Sequence, residues 1–350
     1  MTRPTQLHAV APAKVNLGLE IVDRRADGYH DLVTIFQAVS LYDLFEWTAT
    51  DATFIYTGPP DVPSESDLVA RVLASAPDRA SWTGHLRLVK RIPMAAGLGG
   101  GSTDAALALR LAFPQSSPEE LHERASALGA DVPFFLRGGS ALATGTGTTL
   151  IELPTSHCWL VLVTPTLVIE RKTAVLYGGL EQGDFSDGTR VLAVAAELSS
   201  SCRSGGSVNR PRRSRTPLPS ENMPVSLPAT IAGDQVHGPY GLDNNRRSDI
   251  PNSFIRQLLE YESVRYAYDA LQRAGAGDEN VSVSVSGAGP TVYALTGTWR
   301  EAAYIAERLP HAAGTVRIVR SIGPQVSDLA VEHMAHALRG DLSDQYVTGS

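Results

Sequence analysis

Pro93-Met94-Ala95-Ala96-Gly97-Leu98-Gly99-Gly100-Gly101-Ser102-Thr103-Asp104-Ala105-Ala106 follows an alternating segment at 85–92 (HLRLVKRI) and leads into a run of helix formers at 105–113 (AALALRLAF). The alternation predicts a β-strand and the run predicts a helix, so the stretch reads strand, glycine loop, helix. Four glycines among residues 97–101 open conformations closed to other residues and let the main chain approach a ligand. N–H groups at a helix start have no partner inside the helix, and the positive end of its dipole lies behind them. Such a loop suits phosphate. A flexible cap without a ligand is the competing reading of a glycine run. Ser102 and Thr103 at the helix start weigh against it.

Two familiar phosphate loops do not fit. A Walker A loop ends in Gly-Lys-Ser/Thr, whereas Gly101 is followed directly by Ser102. A dinucleotide fingerprint opens a βαβ unit with an acidic residue closing the next strand, and no such arrangement is evident.

The 350 residues suffice for two domains, or for one with a large insertion. A hydrophobic fraction of 43% and a charged fraction of 19% are ordinary for a globular protein, and the net charge of -7 argues against a general nucleic-acid binder. Cys158 and Cys202 form neither a disulfide framework nor a metal-ligand pattern, so a reducing cytoplasm is expected. The opening MTRPTQLHAVAPAK has no apolar core of signal-peptide length. The apolar run at 158–169 is short and broken by Thr164, Pro165 and Thr166, so no membrane span is expected.

Within Pro12-Ala13-Lys14-Val15-Asn16-Leu17-Gly18-Leu19, Lys14 and Asn16 share one face of an extended segment, with Val15, Leu17 and Leu19 on the other. Such a pair needs partners if buried and none on an exposed edge strand. After the turn Asp23-Arg24-Arg25-Ala26-Asp27-Gly28, Tyr29 and His30 open a strand at 32–41. A tyrosine there can stack on a base and a histidine can hydrogen-bond to one; ordinary turn packing is the alternative. Phe36, further along, has the pattern of a core residue. Asp131, between the helix stop Gly129 and Val132-Pro133-Phe134-Phe135, reads as a partly buried carboxylate, with Lys14 as candidate partner, or else as a helix-end turn residue.

Further strands are expected at 7–22, within 43–57, in a hairpin at 138–153, and at 158–163, 281–285, 291–295 and 315–321. Helices are expected at 67–76, 171–177, 189–198, 254–274 and 300–309. Another runs from Pro118 to about 128, with Ser117 as N-cap and Glu120 completing a capping box. Between 199 and 248 serine, arginine, proline and glycine dominate, which predicts a loosely ordered insertion.

Three segments together resemble the GHMP kinase superfamily: residues 12–19, the loop at 93–106, and 283–295 with SVSGAGPTVYAL. Asp27-Gly28-Tyr29-His30 with Gly129-Ala130-Asp131-Val132-Pro133 draws the likeness toward members whose substrate carries a cytidine diphosphate. The resemblance implies an α+β fold in two lobes, 1–154 and 155–325, with the active site in the cleft, the insertion at 199–248 and a peripheral tail at 326–350. It implies ATP as cosubstrate, with magnesium expected and Ser102 and Asp131 as possible contacts. Asp131 would be the general base and Lys14 its charge partner. Residues Pro93 to Thr103 would hold the ATP phosphates, and Asn16 would position the substrate. Tyr29, His30 and Phe36 would recognise the cytidine end, with Thr173 and Tyr177 closing that pocket. A small-molecule substrate is implied, with neither nucleic acid nor membrane as partner. A GHMP kinase of homoserine or mevalonate type, or a non-catalytic nucleotide-binding homologue, is the alternative. The chain departs from the family at Asp67, where asparagine is usual, at Ala288, where serine is usual, and at Ser248-Asp249-Ile250, a blurred Asn-Asp motif.

Overall fold

Alternate residues of strand β1 (Gln6–Arg24), from Ala9 to Ile21, bury apolar side chains, and they feed three apolar clusters in turn. Ala9 and Ala11 enter the first cluster, Ala13, Val15 and Leu17 the second, and Leu19 and Ile21 the third. The strand is therefore the spine of the molecule, and its period of two places Lys14 and Asn16 together on the opposite face. In this computed structural model the described residues are 6–201, 250–278, 281–324 and 328–340.

β1 pairs antiparallel with β2 (His30–Thr53), and register shifts between Pro12 and Ala13, Asn16 and Leu19, and Ile21 and Asp23 bend the ribbon. β2 is continuous through 42–43, where the sequence suggested a break between strands. The reason is Asp43: it is a fully buried residue of the strand, its carboxylate accepting from the backbone N–H groups of Arg91 and Ile92. β3 (Ile55–Thr57), β4 (Thr83–Val89), β5 (Ser140–Thr144) and β6 (Thr149–Leu153) complete a sheet of order β3-β4-β2-β5-β6, with β1 alongside β2. A second, antiparallel sheet has the order β10-β7-β9-β8, built from β7 (Trp159–Thr164), β8 (Ser282–Val285), β9 (Val292–Thr296) and β10 (Thr315–Arg320).

The helices, in chain order, are α1 (Leu68–Ala74), α2 (Gly100–Ala112), α3 (Pro118–Leu128), α4 (Val132–Phe135), α5 (Lys172–Gly178), α6 (Thr189–Ser201), α7 (Ile255–Leu258), α8 (Glu262–Ala274), α9 (Trp299–Ala306) and α10 (Asp328–Leu338). Helices and mixed sheets together make the α+β, two-lobed fold expected of the sequence. Ser117 and Glu120 form the anticipated capping box on α3. Asp67 caps α1, its carboxylate accepting from the N–H groups of Val69 and Ala70 and from the Tyr56 hydroxyl. That role gives an aspartate a structural reason to stand there.

Three expectations need correction. α2 begins at Gly100, inside the glycine run, because Gly99 takes a left-handed conformation (φ 73°) that turns the chain into the helix. The single helix expected at 254–274 is two, because Tyr261 is extended (ψ 117°) and no α-helix passes through that conformation. The described part of the tail, 328–340, is not peripheral: Val331, Met334, Ala335, Ala337 and Leu338 of α10 are buried in the first cluster with α2. Arg339 locks the helix down by an ion pair to Asp78 and a bond to the Leu111 carbonyl. Apart from the end of α6, the insertion expected at 199–248 lies outside the described residues, as do Ser248, Asp249 and 341–350. Among the described residues no helix is long and apolar enough to cross a membrane.

If α10 is core, Met334→Ala lowers the unfolding free energy by about 2–5 kcal/mol in urea melts. A loss near zero would return the helix to the periphery.

Candidate active site

Lys14 projects from β1 with only 4% of its surface exposed. Its ammonium donates to Asn16 Oδ1 at 2.7 Å, pairs with Asp131 Oδ2 at 3.2 Å, and stands 5.0 Å from the centroid of the Phe36 ring. A buried ammonium needs such partners. Asn16 is itself held on several sides: its Nδ2 donates to Thr34 Oγ1 (2.8 Å), its carbonyl accepts from the Tyr293 hydroxyl (2.8 Å), and its N–H reaches Ser286 Oγ (3.4 Å). The amide thus orients the lysine.

Asp131 follows the stop at Gly129 and precedes α4, but its carboxylate makes no cap bond to that helix. With 35% of its side chain exposed, it faces Lys14 on one side and open space on another. A carboxylate in that position can accept a proton from an alcohol.

The glycine loop lies directly against this pair. A Cβ on Gly99 would fall 2.6 Å from the Phe135 ring and 3.1 Å from Lys14 Cγ. The carbonyls of four successive residues accept hydrogen bonds from elsewhere: Ala95 from Lys172 Nζ (2.6 Å), Ala96 from Thr291 N (3.3 Å), Gly97 from Ser286 Oγ (3.0 Å) and Leu98 from Lys14 N (2.9 Å). In a trans peptide the N–H points opposite to the carbonyl of its own plane, so the N–H groups that follow are turned away from these partners. Behind the loop, Lys90 joins Asp43 and Asp104, and a Cβ on Gly100 would come within 3.1 Å of Lys90 Nζ. Burial pushes the Asp104 carboxyl up to about 8 despite the lysine beside it.

The second glycine turn, 286–290, closes from the other lobe. Gly287 (φ 54°) passes so close that a Cβ would sit 2.7 Å from Asn16 Oδ1. Asn252 Nδ2 donates to the carbonyls of Val285 (2.8 Å) and Gly287 (3.0 Å), and its Oδ1 accepts from Phe254 N. Sequence reading missed Asn252, which lies just beyond the blurred Asn-Asp motif at Ser248-Asp249-Ile250. It also missed Lys90 and Lys172, which carry no motif; only Lys90's place at the end of a strand before the loop was a signal.

At the far end of the cleft the His30 and Tyr177 rings lie 4.9 Å apart. Burial and then the nearby Arg24 charge push the His30 imidazole below its ordinary value, so a neutral ring is present at neutral pH. Burial and then the Asp131 charge push the Tyr177 hydroxyl up to about 12. Tyr29 is 67% exposed, its ring open to a ligand. Thr173, on α5, is exposed. Phe36 differs from these: it is 2% exposed, packed on Phe134 beneath the Lys14 ammonium, and belongs to the core rather than to the open pocket. A cavity between α8 and α9, lined among others by Val281 and Tyr304, shares no residue with this cleft.

Among the described residues no group of three or more histidine, cysteine, aspartate or glutamate side chains could hold a metal by itself. Magnesium accepts a sparser protein shell, one or two oxygen donors with phosphate oxygens supplying the rest. The Ser102 hydroxyl in the first turn of α2 and the Asp131 carboxylate are donors of that hard type, so the residues present fit a phosphate-borne magnesium ion.

A family model described as the GHMP kinases N terminal domain matches residues 67–139. A 4-diphosphocytidyl-2-C-methyl-D-erythritol kinase of Dehalococcoides mccartyi is 31% identical over 331 residues, covering 91% of this chain and 99% of its own. The crystal structure of a 4-(cytidine 5'-diphospho)-2C-methyl-D-erythritol kinase superposes with a TM-score of 0.65 at 27% identity, covering 91% of this chain and all of its own. A homoserine kinase from Cytophaga hutchinsonii, at 14% identity and a TM-score of 0.57 over 93% of this chain and 97% of its own, shares the fold.

Gly97→Ala tests the interlock, since its Cβ would meet the Ser286 carbonyl at 2.4 Å. We expect ATP affinity, read by calorimetry, to fall at least about tenfold, or ~1.4 kcal/mol. Unchanged affinity in a folded variant would show that the loop does not depend on this contact.

Proposed function

Since the chain belongs to the 4-diphosphocytidyl-2-C-methyl-D-erythritol kinases of the GHMP superfamily, and is an ATP-dependent small-molecule kinase, we propose that it phosphorylates the 2-hydroxyl of 4-diphosphocytidyl-2-C-methyl-D-erythritol. The observation that carries this reading is the Lys14–Asp131 pair at 3.2 Å, set between the glycine loop and the His30–Tyr177 end of the cleft. The proposed lobes are 1–154 and 155–325, joined through β1. The proposed site of action is the cytoplasm, on the strength of cysteine usage.

Phosphoryl transfer asks little covalent help from a protein; it asks for in-line placement and neutralised charge. In the proposed mechanism Asp131 accepts the proton of the substrate hydroxyl as the oxygen–phosphorus bond forms and the bond to the ADP leaving oxygen breaks. Lys14, fixed by Asn16, stays beside that carboxylate and offsets negative charge near the transferring group. The N–H groups between Pro93 and Thr103 take the phosphates, with the start of α2 behind them. Magnesium, when bound with ATP, would screen phosphate charge, and Ser102 and Asp131 are the residues to hold it. Tyr29, His30 and Tyr177 hold the cytidine, with Thr173 at the edge. Phe36 acts from beneath, as the surface on which Lys14 rests. A neutral His30 offers one donor and one acceptor, which suits the edge of a base.

ADP release with the cytidine substrate, homoserine and mevalonate in parallel tests the assignment. Turnover of the cytidine compound is expected, and turnover of only a competitor would overturn it. Asp131→Asn is expected to lower kcat by about 10²- to 10⁴-fold, with ATP binding retained; near-normal turnover would remove the base assignment. His30→Ala should raise KM for the cytidine substrate at least about tenfold, the loss expected when a buried polar contact is removed, and leave KM for ATP alone.

A further inference from the structure

The described residues include two non-glycine positions in the left-handed region, Ala95 (φ 54°) and Arg171 (φ 48°). Left-handed backbone at such residues persists only where the surroundings hold it. One side chain links the two. Lys172, immediately after Arg171 and first in α5, sends its ammonium to the carbonyl of Ala95 at 2.6 Å and to that of Gly289 at 2.5 Å. Ala95 belongs to the phosphate loop of the first lobe, and Gly289 to the glycine turn of the second. The chain thus passes through a strained residue at Arg171 and aims a cation at the strained residue in the loop.

We propose that Lys172 is a positioning residue of the kinase reaction, a cationic clasp that ties the two glycine loops together and holds the phosphate loop in its ATP-binding shape. The inference rests on the phosphotransfer reading above. Three physical arguments favour it over a chance surface contact. Both bonds are charge-assisted, and the two acceptors come from different lobes, so neither loop alone would hold the geometry. The neighbouring carbonyls of Ala96, Gly97 and Leu98 are fixed by Thr291, Ser286 and Lys14, which leaves Ala95, at the loop's entrance, dependent on Lys172. Finally, the ammonium is drawn into an environment that resists it. Burial, and then the charge of Lys14 on β1, push it down to about 8, while Asp131 before α4 holds it up. A lysine kept there against desolvation and a like charge is held by its acceptors.

Below about 8 the ammonium is charged and the clasp is closed; above that the proton is lost and the charge-assisted bonds weaken. KM for ATP should therefore rise on the alkaline side.

The test compares the full chain with Lys172→Met and Lys172→Arg, measuring KM for ATP, KM for the cytidine substrate and kcat from neutral to alkaline pH, with ATP affinity by calorimetry alongside. Lys172→Met is expected to raise KM and Kd for ATP by about tenfold or more, the worth of a charged hydrogen bond, to leave KM for the cytidine substrate unchanged, and to abolish the alkaline rise. Lys172→Arg, whose charge persists, should keep most of the ATP affinity and move the rise to higher pH. A methionine variant matching wild type in ATP affinity and pH profile overturns the clasp. So does an arginine variant whose alkaline rise stays where it was, and that comparison decides alone if the methionine variant fails to fold. If the wild-type chain binds ATP but does not turn over the cytidine compound, the substrate assignment fails, and the calorimetric arm still judges Lys172.

Discussion

Four successive carbonyls in the glycine loop, Ala95 to Leu98, are held by groups from outside it, and the geometry of the site depends on that constraint. A glycine-rich segment is conformationally loose on its own. Fixing its carbonyl oxygens on one side turns its N–H groups to the other and converts a loose loop into an oriented set of donors. The donors that do this come from β1, from the turn at 286–291 and from the start of α5, so loop geometry is a property of both lobes at once. The close approaches at Gly97 and Gly287 express the same constraint: each is a place where another residue's Cβ would collide with the opposite loop or with Asn16.

β1 transmits this order through the molecule. Its apolar face runs through all three clusters, while its other face carries Lys14 and Asn16. A lysine in a buried strand is tolerable only with its partners in place, and here they come from the same strand, from the turn before α4 and from the Phe36 ring. The return of α10 to the first cluster means that a late part of the chain completes the core on which the first lobe rests.

Much of this was legible in the residues. Period-two alternation put Lys14 and Asn16 on one face, and the strand–glycine–helix pattern located the loop. The glycine stop and the apolar run around Asp131 marked a partly buried carboxylate with Lys14 as candidate partner, and Ser117 with Glu120 marked a helix start. These are local signals, carried by neighbours within a turn or a pleat. What was illegible was non-local. Asp43 carries no signal of its own until Arg91 and Ile92 arrive to bind it. Phe36 has the pattern of a core residue while the family resemblance makes it a cytidine contact, and its packing on Phe134 decides for the core.

By itself, then, the sequence determined the groups available: a glycine loop at a helix start, a lysine and an aspartate as candidate partners, an aromatic–histidine pair at a strand mouth, and the family these compose. The tertiary structure alone decided which groups hold that chemistry in place. Ser286, 189 residues from Gly97, braces the loop, Lys172 joins it at Ala95, and Asn252 fixes the second glycine turn through the carbonyls of Val285 and Gly287. The physical reason is range. Backbone preference and side-chain alternation act over a few residues, whereas the bonds that fix a carbonyl or bury a cation join segments the chain brings together only on folding.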